Sequence, residues 1–238
     1  MQNALTQLEE KYLLEIKEFY FPYFSSEESL DFFINRIFEF DWNDRKPRQM
    51  LFQVQRFVTL ANDIDKIRPA RDGLRILFIR CCMESLAKLS GKDPKEFFIC
   101  FGSWFSDIGK RYILENFCLS YIEQESEQAE IDTVGKLTIN DILCIIKEVR
   151  NMVVHEGNYW ELQMFAHDDD SLWLTHIGTD QQLLSKETFE NSEKQFLTYH
   201  FETKLQYEKF GFFFVEACIK FIDGYVDELS KNCDKKHS

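Results

Sequence analysis

The sequence predicts a mainly α-helical protein with one small β element, and three observations lead to this prediction. Hydrophobic residues make up 45% of the 238 positions, which is enough to bury a substantial core. Only 9 glycines and 4 prolines are present, whereas folds built from many short strands need frequent turns. Apolar residues recur at helical spacing over most of the chain. We therefore expect a single helical domain spanning residues 1–238.

Capping residues and helix breakers define the expected helix boundaries. Ser25 and Glu28 have the spacing of a capping box. Asp72 can cap a later helix, and Thr138 precedes Asp141 by three residues at the start of another. The expected helices cover residues 4–19, 25–40, 46–67, 73–89, 94–121, 139–155 and 204–230.

The helical spacing of apolar residues ends after residue 155. Segments 160–167 and 171–177 have a β-like composition on either side of an acidic turn, and we expect them to form a hairpin. Residues 196–201 are expected to add a third strand. The β element is therefore predicted to be an insertion over about residues 160–202. The polar segment 123–135 is expected to be a loop.

Composition and charge exclude several classes of protein. The net charge is −13, which argues against a protein that coats nucleic acid with a basic surface. The seven cysteines lack the spacing of zinc ligands or of a disulfide framework, so we expect no metal and no cofactor. We find neither a signal-peptide pattern nor an apolar segment long enough for a bilayer. A cytoplasmic location without membrane contact is expected.

The most specific signal lies at the end of the helix over residues 139–155, in the sequence RNMVVH. Asn151 and His155 are four residues apart and are therefore neighbours on one helix face. The long side chain of Arg150 can reach the same space where the helix ends. These three polar groups are thus expected to point towards one site.

Three apolar residues lie among the polar residues of this helix, namely Leu143, Cys144 and Val154. A helix that is apolar on a second face usually contacts something there. That contact is either another part of the chain or a second copy of the protein.

The motif is similar to that of the HEPN superfamily (higher eukaryotes and prokaryotes nucleotide-binding domain), whose active members carry R-x(4–6)-H at the end of a long helix, with a polar residue after the arginine. The resemblance covers about residues 48–160 and 203–230, as the core of the domain. It implies an up-and-down helical bundle. The N-terminal helices and the β insertion would be additions to it.

The resemblance implies a metal-independent endoribonuclease that cleaves RNA through attack of the ribose 2′-OH on the adjacent phosphate. His155 would act as general base or acid, Arg150 would stabilise the phosphate charge, and Asn151 would orient His155 or bind a phosphate oxygen. Members of the family usually act as homodimers, here through the face of the motif helix. Many are toxins or phage-defence effectors, which implies an antitoxin or regulatory protein as a further partner.

The densest group of basic residues precedes and enters the helix over residues 73–89. It could attract the RNA backbone, and it includes Arg68, Arg71, Arg75 and Arg80. Glu84 could assist catalysis. The alternative is a solvated helix face on which Glu84 is simply the i,i+4 partner of Arg80.

Other readings of the same features remain open. The chain could be a non-catalytic HEPN-like module that binds a nucleotide, RNA or a protein. It could also be a structural interaction protein that pairs through the apolar helix around residues 210–222. Arg150 and His155 could merely satisfy the carbonyls and dipole of a helix end. The acidic run 167–170 fits a solvated hairpin tip better than a metal site.

Overall fold

Helices form most of the chain in the computed structural model, which describes residues 2–39, 44–124, 129–131, 135–157, 162–164, 173–193 and 195–234. Six helices precede the sheet and the motif helix, and a long helix ends the fold. They are α1 (Gln2–Tyr20), α2 (Glu27–Glu39), α3 (Lys46–Ile67), α4 (Asp72–Ser90), α5 (Pro94–Phe101), α6 (Asp107–Glu115), α7 (Ile139–Asn151) and α8 (Tyr207–Asp234).

The predicted start of α2 is wrong by one residue. The side chain of Ser26 accepts a hydrogen bond from the Ser29 N–H at 3.2 Å. The Ser29 hydroxyl oxygen in turn accepts one from the Ser26 N–H, also at 3.2 Å. This reciprocal pair takes the place of the expected box of Ser25 and Glu28, because a serine at the third helical position can perform the same exchange.

The helix expected over residues 94–121 is interrupted in the middle and is wrong at its end, over residues 117–121. A 3₁₀ turn at Gly102–Trp104 ends α5, and Ser106 caps α6 by accepting from the Gly109 N–H. The chain then enters strand β1 (Phe117–Gln124), because its backbone pairs with a strand some 80 residues away in the sequence (Phe117 opposite Thr203). Long-range pairing of this kind overrides local helical preference.

Among the described residues, the sheet has four antiparallel strands in the order β2-β1-β4-β3. The remaining strands are β2 (Ala129–Ile131), β3 (Trp173–Thr179) and β4 (Leu197–Thr203). Because β1 and β2 precede α7, the sheet is not an insertion after the motif helix as predicted. The segment 123–135 is likewise not only a loop, since it contains β2.

Of the expected hairpin of 160–167 with 171–177, the turn and most of the first arm lie outside the described residues. Strand β3 confirms the second arm, but it pairs with β4. Of the first arm, only residues 162–164 belong to the described part of the chain, and they are not in a strand. The acidic run 167–170 and Trp160 lie outside the described residues.

The core is one continuous cluster of buried side chains that joins the helices to one face of the sheet. Helix α4 packs against both α3 and α7, and α8 packs against α3. The buried face of α7 consists of Ile142, Ile145, Ile146, Val149 and Met152. Among the described residues, no helix has the length and apolarity that a bilayer crossing requires.

Candidate functional site

Helix α7 is fixed at its first turn by the capping box that the sequence predicted. The Asp141 carboxylate accepts hydrogen bonds from the Thr138 N–H and hydroxyl, each at 2.7 Å. It also accepts from the Ser185 N–H at 2.6 Å and from the Thr188 hydroxyl at 2.7 Å. Burial alone would raise the pKa of Asp141, but these hydrogen bonds together hold that pKa below its usual value.

At its other end α7 continues into a five-residue π turn, Met152–Glu156. The turn closes when the N–H of Gly157, at φ 71°, donates to the carbonyl of Met152, five residues back. In a π turn the hydrogen bonds join residues five apart instead of four, so the angular spacing between Asn151 and His155 differs from that of a regular α-helix. Such single turns recur at functional sites, and here one coincides with the motif.

Arg150 and Asn151 interact directly at the end of α7. An Nη1 donor of Arg150 lies 3.2 Å from Oδ1 of Asn151. The Asn151 side-chain amide donates in turn to Glu148 at 3.2 Å. Asn151 is therefore held by neighbours on both sides, and its oxygen is turned to the arginine.

Glu84 of α4 links two arginines. Its carboxylate lies 3.7 Å from Nη2 of Arg150 and 3.4 Å from Nη2 of Arg80. The guanidinium of Arg80 lies over the ring of Phe98. Burial lowers the pKa of Arg80 to about 10, against the effect of Glu84 and with a further contribution from Arg150. The contacts of Glu84 thus join α4 to the end of the motif helix.

Several guanidinium donors in this group have no acceptor. Within the described residues, Nε of Arg150 and both Nε and Nη1 of Arg80 are buried without a hydrogen-bond partner. Buried donors are normally paired, and unpaired ones are typical of positions that hold a water, an ion or a ligand. The two arginines therefore keep buried donors that the described residues do not satisfy.

His155 lies at the outer end of the same structure and is exposed. No hydrogen bond or ion pair joins it to any other residue that the structure describes. The structure brings Arg150 and Asn151 into contact, and it places Glu84 and Arg80 beside them. It leaves His155 one turn further on, open to solvent.

The four arginines expected to bind RNA have different surroundings. Arg75 is only 7% exposed, lies over the ring of Tyr207 and faces three carboxylates, Asp72, Glu208 and, at 3.9 Å, Asp65. Its charge is neutralised, so it does not belong to an open basic surface.

Arg68 is exposed and Arg71 is half-buried, where α3 ends and α4 begins. Arg80 is buried beside the motif, as described above. From Arg71 to Arg80 the distance is about 14 Å along the axis of α4. Arg68 and Arg71 thus form a separate basic position near the start of that helix.

Asp72 is the first residue of α4 and does not cap it as predicted. Its carboxylate instead accepts from the Met164 N–H at 2.6 Å and from Arg75 at 3.2 Å. Burial raises the pKa of Asp72 above its usual value, although both of these hydrogen bonds oppose the rise. The contact with Met164 brings the segment after the motif towards the end of α4 where Arg71 lies.

The apolar residues on the second face of α7 have two different environments. Leu143 is 3% exposed, and its side chain packs beside Gly102 in the same chain. Cys144 is exposed and Val154 is 49% exposed. The contact that the sequence predicted is therefore intramolecular at Leu143, while Cys144 and Val154 face outwards.

Glu148 and Phe98 are parts of the site that the sequence did not predict. Glu148 stands three residues before Asn151, so helical spacing alone could have identified it. Phe98 belongs to another helix, and no local pattern connects it with Arg80. Among the described residues, no group of three or more His, Cys, Asp or Glu side chains is arranged to hold a metal ion.

Comparison with protein-family models, with curated proteins and with solved structures gives no match to this chain.

Proposed function

We propose that the chain is a metal-independent endoribonuclease of HEPN type, with Arg150, Asn151 and His155 at its active site. The observation that carries the proposal is the arrangement at the end of α7. A π turn carries an exposed histidine one turn beyond an arginine and an asparagine that already contact each other. Histidine is the side chain whose ordinary titration lies near neutral pH, and it is suited to moving the 2′-OH or leaving-group proton.

Arg150 would stabilise the negative charge that develops on the phosphate. Its contact with Glu84 is 3.7 Å long, which is more than the 2.7–2.9 Å of a good charge-assisted hydrogen bond. A phosphate oxygen could therefore compete for the same donors. Asn151, fixed by Glu148, would hold the guanidinium of Arg150 in place.

We further propose that two copies pair through the exposed part of the α7 face around Cys144 and Val154. A two-fold interface there would bring two motifs into one cleft. Arg68 and Arg71 would attract the RNA backbone, and Arg75 is not part of this role because its charge is already paired. A toxin or defence role, with an antitoxin as partner, follows only from the resemblance and is part of the same proposal.

The test is cleavage of end-labelled total RNA and tRNA in EDTA by the native protein and by the His155→Ala and Arg150→Ala variants. Lys147→Ala is the matched control, because Lys147 is exposed on the same helix outside the motif. We expect cyclic-phosphate ends from the native protein and the control. Removing a general acid–base group or a charge-stabilising donor should lower the rate by roughly 10²-fold or more. Circular dichroism would show that all four proteins are folded.

Cleavage that requires added Mg²⁺, or equal rates in all four proteins, would refute this function. The second candidate is binding of RNA or a nucleotide without cleavage. One observation favours it: each terminal nitrogen of Arg150 already has a partner, in Asn151 and Glu84. Binding by the native protein with no product in EDTA or in Mg²⁺ would support this second candidate.

A further inference from the structure

A second group of functional side chains lies on the sheet, on elements distinct from the motif. His176 of β3 and His200 of β4 stand directly opposite each other in the strand register. Tyr121 of β1 is the partner of His200 on the other side, so the three residues form one row across three strands. Cross-strand neighbours in such a row are close enough for direct side-chain contact.

The two imidazoles face each other through the same ring atom. Nδ1 of His176 lies 2.6 Å from Nδ1 of His200, and the ring planes are nearly perpendicular. Nε2 of His200 lies 3.1 Å from a carboxylate oxygen of Glu123 on β1. The ring of Tyr121 stacks on His200 with centroids 4.0 Å apart. His200 is thereby buried and fixed in orientation, whereas His176 is exposed.

The contact with Glu123 decides which nitrogen of His200 can bind a ligand. When Nε2–H of His200 donates to the carboxylate, Nδ1 carries the lone pair and points at His176. A carboxylate that accepts from the second nitrogen of a metal-binding histidine fixes its tautomer and raises its basicity, and this arrangement recurs at metal sites. Glu123 is in the position to supply this effect.

We propose that His176 and His200 form a binding site for a divalent d-block cation such as Zn²⁺, with Glu123 as the carboxylate behind His200. Imidazole nitrogen suits Zn²⁺, Cu²⁺ and Ni²⁺, and water would fill the remaining coordination positions. Two nitrogens at 2.0–2.1 Å from a tetrahedral ion lie about 3.3 Å apart. The two Nδ1 atoms would need to separate by about 0.7 Å, which rotation of the exposed His176 ring can supply.

No metal site was expected from the sequence, because only ligands that are close together in the sequence give a recognisable spacing. The two histidines are 24 residues apart and meet only through the pairing of β3 with β4. The site does not depend on the proposed ribonuclease activity, since it shares no residue with the motif and the cleavage assay in EDTA would remove the ion. Either proposal can fail without the other.

The test is calorimetric titration of the untagged protein with Zn²⁺. The principal variant is His176→Asn, which removes one ligand at an exposed position and should leave the fold intact. Glu123→Gln removes the carboxylate behind His200, and His155→Asn is a matched control that removes an exposed histidine elsewhere. We expect one saturable Zn²⁺ site in the native protein and in His155→Asn.

In His176→Asn the affinity should fall at least tenfold, and in Glu123→Gln by about tenfold, as for other carboxylates behind ligating histidines. The spectrum of bound Cu²⁺ in electron paramagnetic resonance should show two nitrogen ligands in the native protein and fewer in His176→Asn. A native protein without saturable binding, or a His176→Asn variant with native affinity, would overturn the proposal.

Discussion

Replacing Asp141 by alanine should destabilise the protein more than any other change to a helix start. Its carboxylate has no exposed surface and accepts from four donors. Two of these donors, the N–H and hydroxyl of Thr138, begin α7. The other two, from Ser185 and Thr188, belong to the segment between β3 and β4. One side chain therefore ties the motif helix to the chain that leads into the sheet.

The expected cost follows from what the donors can do without the carboxylate. The Thr188 hydroxyl can turn to Ser185 Oγ, which lies 2.9 Å away. The Thr138 hydroxyl can reach solvent because that residue is half-buried. The N–H groups of Thr138 and Ser185 both lose their acceptor, and each buried donor left unsatisfied costs about 1–3 kcal/mol. At about 1.5 kcal/mol for each of the two donors, we expect a total loss of about 3 kcal/mol in the free energy of unfolding.

The assay is denaturant and thermal unfolding of the native protein, Asp141→Ala and the control Asp107→Ala. Asp107 also lies in a first helical turn but is exposed, so its removal should cost at most about 1 kcal/mol through the helix dipole. A loss of about 3 kcal/mol lowers Tm by roughly 6–12 °C in a chain of this size. A loss under 1 kcal/mol, or one equal to that of the control, would refute the reasoning.

The same carboxylate gives an expected pH dependence. Its pKa in the folded state lies below the value of about 3.9 of an unfolded aspartate. Its contribution to stability is therefore complete above pH 4 and is lost as the pH falls through the lower, folded-state pKa. The difference in stability between the native protein and Asp141→Ala should be constant from pH 5 to 7 and should shrink below pH 4. A difference that grows on acidification would contradict the assignment.

Two further predictions concern the end of α7. Gly157→Ala places a side chain at φ 71°, where nothing lies within 4 Å of the added carbon, so the cost should be the strain of the left-handed conformation alone, about 1 kcal/mol in chemical unfolding. A loss above 3 kcal/mol would show that the π turn depends on more than this conformation. Glu84→Gln should strengthen binding of a non-cleavable RNA severalfold in filter-binding assays, because it removes a carboxylate that competes with phosphate for Arg150. Weaker binding would instead indicate that Glu84 holds Arg150 in its binding position.

How much of the fold could be predicted depends on how local each signal is. The start of α7 was predicted correctly because its capping box joins residues three apart. Segment 117–121 was assigned to a helix because its long-range partner was not visible in the sequence. The strand forms only when β4 is beside it, and this pairing follows from the tertiary fold.

The candidate site, like the fold, could be predicted only where its contacts join residues that are close in the sequence. The sequence predicted Asn151 and His155 as neighbours at helical spacing and Arg150 as a long side chain reaching the same space. Arg150 and Asn151 do contact each other, whereas no hydrogen bond or ion pair joins His155 to them. The interaction of Arg150 with Glu84 could not be foreseen, since it depends on the packing of α7 against α4. Arg75 was expected on an open basic surface for the same reason: nothing local indicates that a carboxylate from α8 lies against it.

The charges at the motif nearly cancel, and this has a consequence for how RNA could bind. Arg80 and Arg150 carry two positive charges, and Glu84 and Glu148 carry two negative charges within the same chain of contacts. A chain with a net charge of −13 thus has little attraction for phosphate at the motif before a ligand arrives. Encounter with RNA would therefore have to depend on charges outside the motif, such as Arg68 or a second copy of the chain. The motif itself would bind a phosphate only if the phosphate displaced Glu84 from Arg150. Phosphate binding and the release of Arg150 from Glu84 would therefore occur together.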